Sequence, residues 1–229
     1  MQYENEGSQF YKLYEGLDND QRAEKNEDGT LRFPEGSYEK QRRLAACCGE
    51  DADFSQEDQI KQAIEQFGAY LQLERDHYYP TGLALRGEIR GLMLGYFEAA
   101  LLEKARVKEL TNERVANPWF YPAAKRRGLQ HLPDLPHKAA VTFLDVVVFN
   151  EKFAIRDLFH GLVQAVQVEV IGLREYADLF VRRFLQSRSY FLVPLNAHAF
   201  SLDAKFASNP DKGFSVEEEV RRWWREGRY

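Results

Sequence analysis

Apolar residues recur at helical spacing after Ser55, where Ile60, Ile64, Phe67 and Leu71 mark one face of a helix running to about Asp76. Ser55, with Asp58 three residues on, suits its N-cap. The segment Tyr78-Tyr79-Pro80-Thr81-Gly82 breaks this pattern. A long helix is expected next, from Leu83 to about Glu113, with Gly87, Gly91 and Gly95 repeating along it. Glycine costs about 1 kcal/mol inside a helix, so three on one face imply close approach by another backbone or by a ligand; close helix packing is the simpler reading. Beyond Asn117, Pro118, Pro122, Gly128, Pro133 and Pro136 keep the chain irregular.

The run Ala140-Val141-Thr142-Phe143-Leu144-Asp145-Val146-Val147-Val148-Phe149 is β-branched and aromatic, and reads as one largely buried strand. Three helices follow. The first runs from Phe153 to about Ile171 and closes at Gly172. The second covers about Leu173 to Ser187, and the third starts at Pro194 and lasts to about Ala207. Ser215 and Glu218 form an S-x-x-E capping box for a last helix. The fold class is therefore mainly α with a small β component (α+β). Residues 56–229 read as one helical domain behind a polar, partly irregular extension, 1–55. In that extension 26–29 and 33–36 carry turn chemistry, and a helix is expected near 37–47.

Composition narrows the function. The chain has 229 residues, 44% of them hydrophobic and 14% aromatic, enough for one sizeable core. The formal net charge of -5 gives no basic footprint for nucleic acid, and Lys125, Arg126 and Arg127 read as a solvated helix face. Cys47 and Cys48 are adjacent and have no third partner, so they read as reduced thiols in a cytoplasmic protein. The first residues carry neither the basic nor the apolar region of a signal peptide. No run of 18 apolar residues exists, so no membrane span is expected.

The candidate chemistry lies on the helix from Phe153. A polar stripe of Arg156, His160, Gln164 and Gln167 crosses an otherwise apolar sequence at spacings that share one helix face. A buried polar group without a partner costs about 1–3 kcal/mol. These side chains must therefore meet neighbouring elements, water or a ligand. Phosphate-binding glycine loops and nucleophile elbows are absent from the sequence.

The stretch Leu158-Phe159-His160-Gly161-Leu162-Val163-Gln164-Ala165-Val166-Gln167 resembles the motif helix of bacterial zincin-like metallopeptidase domains, approximately L-F-H-E-L-V-H-V-x-Q. The resemblance extends through Asn117-Pro118-Trp119-Phe120-Tyr121, through Leu135-Pro136-His137-Lys138 and the strand, and through Val193-Pro194-Leu195-Asn196-Ala197-His198-Ala199-Phe200 to Trp223, about half the chain. Zincins hold zinc with two histidines one helical turn apart and a third ligand from a later element, with the intervening glutamate as general base. Carried over, the resemblance keeps His160 as the first histidine. It puts Gly161 at the base, Gln164 at the second histidine and Asn196 at the third ligand. Two ligands and the base are thus missing together, and amide side chains are weak zinc ligands. The resemblance therefore implies a pseudo-peptidase without metal or other cofactor.

Two functions follow as expectations. One is a non-catalytic protein that binds a protein partner or supports assembly, with Trp223-Trp224 as an interface or as core. The other is a repurposed cleft that binds or transforms a small organic molecule. There His160 is the acid or base, because an ordinary histidine titrates near working pH. Gln164, Gln167 and Asn196 would hydrogen-bond the ligand, Tyr190 and His198 would add donors, and the glycine-bearing helix would line the space. A buried cleft at His160 favours the second expectation, and a collapsed apolar centre favours the first. A rebuilt three-histidine metal site, joining His160 with His137 and His198, is a lesser alternative; Asn196 and His198 lie about 200° apart on a helix and cannot face one centre together.

Overall fold

The computed structural model describes residues 56–210 and 212–229, together with two short strands, β1 (Glu24–Lys25) and β2 (Leu31–Arg32), that pair antiparallel. The expected turns 26–29 and 33–36, the helix near 37–47, the two cysteines and the Ser55 cap lie outside the described residues.

Helix α1 (Gln56–Tyr78) ends in a 3-10 turn, Tyr79–Thr81, whose proline suits a first turn. The segment expected to be one long helix is four elements: β3 (Leu83–Ala84), α2 (Gly87–Met93), α3 (Ala99–Lys104) and β4 (Arg106–Glu109). Tertiary pairing overrides local helical propensity here. β4 takes the free edge of a buried strand, and the Glu98 N–H that would continue a helix donates to the Glu217 carboxylate at 2.8 Å. The three glycines consequently share no helix face. Gly87 has φ +56° and begins α2, while Gly95 lies in the turn between α2 and α3.

After α4 (Tyr121–Arg126) and a 3-10 turn at Leu135–His137, the expected single strand is a hairpin, β5 (Ala140–Phe143) and β6 (Val146–Phe149). Leu144 turns the chain at φ +52°. Arg75 grips the Asp145 carboxylate with two hydrogen bonds of 2.8 and 3.0 Å, and the Asp145 carbonyl accepts the Arg106 N–H. Composition alone cannot distinguish one long strand from two joined by so tight a turn. The sheet order is β3-β4-β6-β5, with β4 parallel to β6 and the other pairs antiparallel.

Every side chain of β6 is buried. Val147 and Phe149 join one apolar cluster with Leu158, Phe159 and Leu162; Val146 and Val148 join a second with Tyr70, Tyr176 and Phe184. That alternation is the period-two geometry of a strand covered on both faces. Four helices complete the molecule: α5 (Ile155–Ile171), α6 (Leu173–Ser187), α7 (Pro194–Ser208) and α8 (Val216–Arg225). Their ends agree closely with the sequence signals. Gly172 closes α5, and Ser215 Oγ accepts the Glu218 N–H at 3.1 Å to cap α8. The described chain is mainly helical with one small mixed sheet.

Candidate functional site

The polar stripe of α5 is the seam against α7. Arg156 donates to both Asp203 oxygens, at 2.8 and 3.0 Å. The His160 ring packs on Phe200, with centroids 4.5 Å apart. Gln164 Nε2 donates to Asn196 Oδ1 at 3.4 Å, and Gln167 Nε2 donates to the Leu195 carbonyl at 2.9 Å. Ascending numbers on α5 meet descending numbers on α7, as two antiparallel helices require. Three of the four stripe residues therefore find partners within the protein. His160 makes no hydrogen bond to any described residue.

His160 instead faces a cleft of about 240 Å³. Gly161, Gln164, Lys138, Tyr121, Thr142 and Tyr190 share its wall, while Tyr70, Phe143 and Phe180 give it an apolar side. Gly161 and Gln164 thus border one space. Asn196, fully buried, sits beside Gln164 and donates to the Tyr190 carbonyl at 2.7 Å, tying the segment before α7 to that helix.

Gly161 is where α5 crosses the hairpin most closely. A Cβ at this position would lie 2.8 Å from Thr142 Oγ1 and 2.8 and 2.9 Å from the two Val147 methyl carbons. Thr142 and Val147 are cross-strand partners, so the helix rests on a paired, buried surface with no side chain between. A glutamate at residue 161 has no space in this arrangement.

Electrostatics set the state of the cleft. Burial pushes His160 down to about 4; Asp203 opposes that shift, and Lys138 and Arg156 reinforce it. His160 is therefore a neutral imidazole at pH 7, able to donate or accept a hydrogen bond but too weak a base for the acid–base role that an ordinary histidine pKa suggests. Burial also lowers Lys138 below the usual lysine range and raises Asp157 above the usual carboxylate range. Tyr190 is raised by burial, against an opposing hydrogen bond from Gln164.

The remaining site candidates lie elsewhere. His198 is buried on the opposite face of α7, where Nδ1 meets the Tyr229 hydroxyl at 2.6 Å and the ring stacks on Trp223 with centroids 3.8 Å apart. Neither Gln167 nor His198 lines the cleft. His137 is exposed and pairs with Asp134 at 2.8 Å. The three histidines are dispersed, and no group of three or more metal-ligating side chains occurs among the described residues. Trp223 packs inward against His198, whereas Trp224 is 40% exposed. The glycine-bearing segment 87–95 does not reach the cleft.

Sequence reasoning missed Lys138, Tyr121, Thr142 and Asp203 as neighbours of His160. The i, i+3, i+4 rule finds partners within one helix, whereas these come from four other elements. Lys125, Arg126 and Arg127 are exposed, as a solvated face requires. A larger, open groove of about 990 Å³ lies among α3, α5 and α8, bordered by Glu98, Glu218, Arg221 and the exposed Trp224, and shares no lining residue with the His160 cleft. No helix among the described residues is long and apolar enough to cross a membrane.

Comparison with family models, with curated proteins and with solved structures found no match to this chain.

Proposed function

We propose that this protein is a non-catalytic relative of zincin-like metallopeptidases whose cleft binds a small organic ligand, without zinc and without hydrolysing peptides. One observation carries the reading: the cleft is open at His160 and Gln164, while helix position 161 is pressed onto Thr142 and Val147. The recognition groups survive, and the place of the water-activating base is filled by packing. His160 serves as a neutral hydrogen-bonding group, in keeping with its low pKa. A cytoplasmic setting is part of the same proposal.

The test is metal content by elemental mass spectrometry after zinc loading, alongside a thermal-shift screen of small aromatic and aliphatic compounds. The expected result is negligible zinc, unchanged in His160→Ala, and stabilisation by compounds whose effect is lost when Ala139, another residue of the cleft wall, is replaced by the larger phenylalanine (Ala139→Phe). Stoichiometric zinc that disappears in His160→Ala, or zinc-dependent peptide cleavage, overturns the proposal.

A second reading, docking of a protein partner, is favoured by Phe191 and Leu192, which are 64% and 67% exposed beside the cleft. Under it, substituting both by serine weakens partner capture and leaves small-compound stabilisation intact.

A further inference from the structure

Lys138 stands at the cleft wall with no acidic partner among the described residues. Its ammonium lies 3.6 Å from the Tyr190 ring centre and 6.0 Å from that of Phe191. Aromatic faces attract a cation, but they do not replace the charge-assisted hydrogen bonds that three N–H donors can make. A partly desolvated ammonium without a counter-charge is unfavourable unless an anion completes it. The other cation near the cleft, Arg156, is already engaged by Asp203. Among the described residues, Lys138 is therefore a cleft cation held by aromatic faces alone.

The space beside it suits an apolar body. A cavity of about 150 Å³ lined by apolar side chains takes a benzene ring, and this cleft of about 240 Å³ has aromatic walls at Tyr70, Phe143 and Phe180. His160 and Tyr121 add neutral polar groups along the same wall. Asp157 also borders the cleft. Asp203, which borders it too, is bound to Arg156, and burial raises Asp157 above the usual carboxylate range.

Resting on the binding reading above, we propose that the ligand is a carboxylate with an aromatic or aliphatic body, its carboxylate held by Lys138 and its body seated against the aromatic wall. The carboxylate belongs either to a free organic acid or to the C-terminus of a peptide with an apolar last residue.

Calorimetric titration of the whole protein distinguishes these cases. The probes are 4-phenylbutyrate, its amide, its amine analogue 4-phenylbutylamine, and a short peptide ending in phenylalanine with a free or an amidated terminus. The acid is expected to bind about tenfold more tightly than its amide, a difference of one charge-assisted contact. Lys138→Gln is expected to remain folded by circular dichroism and to abolish that preference, and Lys138→Arg to retain it. A free-terminus peptide that binds better than phenylbutyrate assigns the carboxylate to a peptide; the reverse order assigns it to a free acid. Amide or amine binding as tightly as the acid overturns the carboxylate proposal but leaves the cleft as a binding site, provided Ala139→Phe blocks that binding. A preference that survives in Lys138→Gln also overturns it. Failure of every probe to bind, or binding unaffected by Ala139→Phe, overturns the cleft reading together with the proposal.

Discussion

Replacing Gly161 by alanine should destabilise the protein, although alanine is the better helix former. The added Cβ would meet three atoms at 2.8, 2.8 and 2.9 Å, well inside the roughly 3.5–4.0 Å of favourable carbon contact. Overpacking a core costs about 1–3 kcal/mol. Three close contacts against a doubly covered strand place this site near the upper end. The helical preference for alanine over glycine returns about 1 kcal/mol, leaving a net loss of about 2 kcal/mol. For a domain of this size, that lowers the melting temperature by about 4–8 °C, readable by circular dichroism. Val147→Ala removes two of the three contacting atoms at its own cost of about 1–3 kcal/mol. The double variant should therefore be more stable than the sum of the two losses, by about 1 kcal/mol. A Gly161→Ala protein as stable as the parent, or strictly additive losses in the cycle, would refute the packing argument.

Other consequences are open to direct measurement. Introducing the residues of the zincin motif together, as Gly161→Glu, Gln164→His and Asn196→Glu, should disrupt folding rather than create a hydrolase, because residue 161 has no room for a side chain; circular dichroism and a peptide-cleavage assay read both outcomes, and a folded, zinc-dependent peptidase contradicts the reasoning. Asn196→Ala removes the bond to the Tyr190 carbonyl and the acceptor for Gln164, and should cost about 1–3 kcal/mol in urea unfolding. His160 and His198 are both lowered to about 4 by burial. The unfolded chain therefore binds more protons between about pH 6.5 and pH 4. Their stabilising contribution is present above that window and is lost as pH falls through it. His198→Gln should flatten the decline in denaturation midpoint between pH 7 and pH 5, and an unchanged slope counts against the burial argument. Asp145→Ala frees Arg75 and removes the grip on the β5–β6 turn, with an expected loss of about 1–3 kcal/mol on thermal unfolding.

The C-terminal helices were legible because their signals are local. Gly172, Pro194 and Ser215 punctuate the chain where α5, α7 and α8 end or begin, and a cap acts through neighbours a few residues away. Residues 83–113 misled because β4 owes its form to β6, some forty positions later, and nothing within its own sequence records that pairing. The hairpin was hidden for another reason: Leu144 adopts a positive φ that its side chain does not advertise. The site divides the same way. The resemblance groups His160, Gln164 and Asn196; His160 and Gln164 line the cleft, whereas Asn196 does not and meets Gln164 behind its wall. His198 faces away from the cleft, as the turn of about 200° between it and Asn196 requires. Lys138, on a turn between irregular segments, carried no periodic signal.

The α5–α7 seam also limits how the cleft can open. Arg156, His160, Gln164 and Gln167 each face a different chemical partner on α7, so the two helices mesh like a key cut for one setting. Sliding either by a turn, about 5.4 Å, would leave Asp203 and Asn196 unpartnered in the interior. Shear along the helices is thereby barred, and widening falls to segment 188–193, which carries Tyr190 and the exposed Phe191. Its tether is the hydrogen bond from Asn196 to the Tyr190 carbonyl. Asn196, buried beside Gln164, thus becomes the latch of the door.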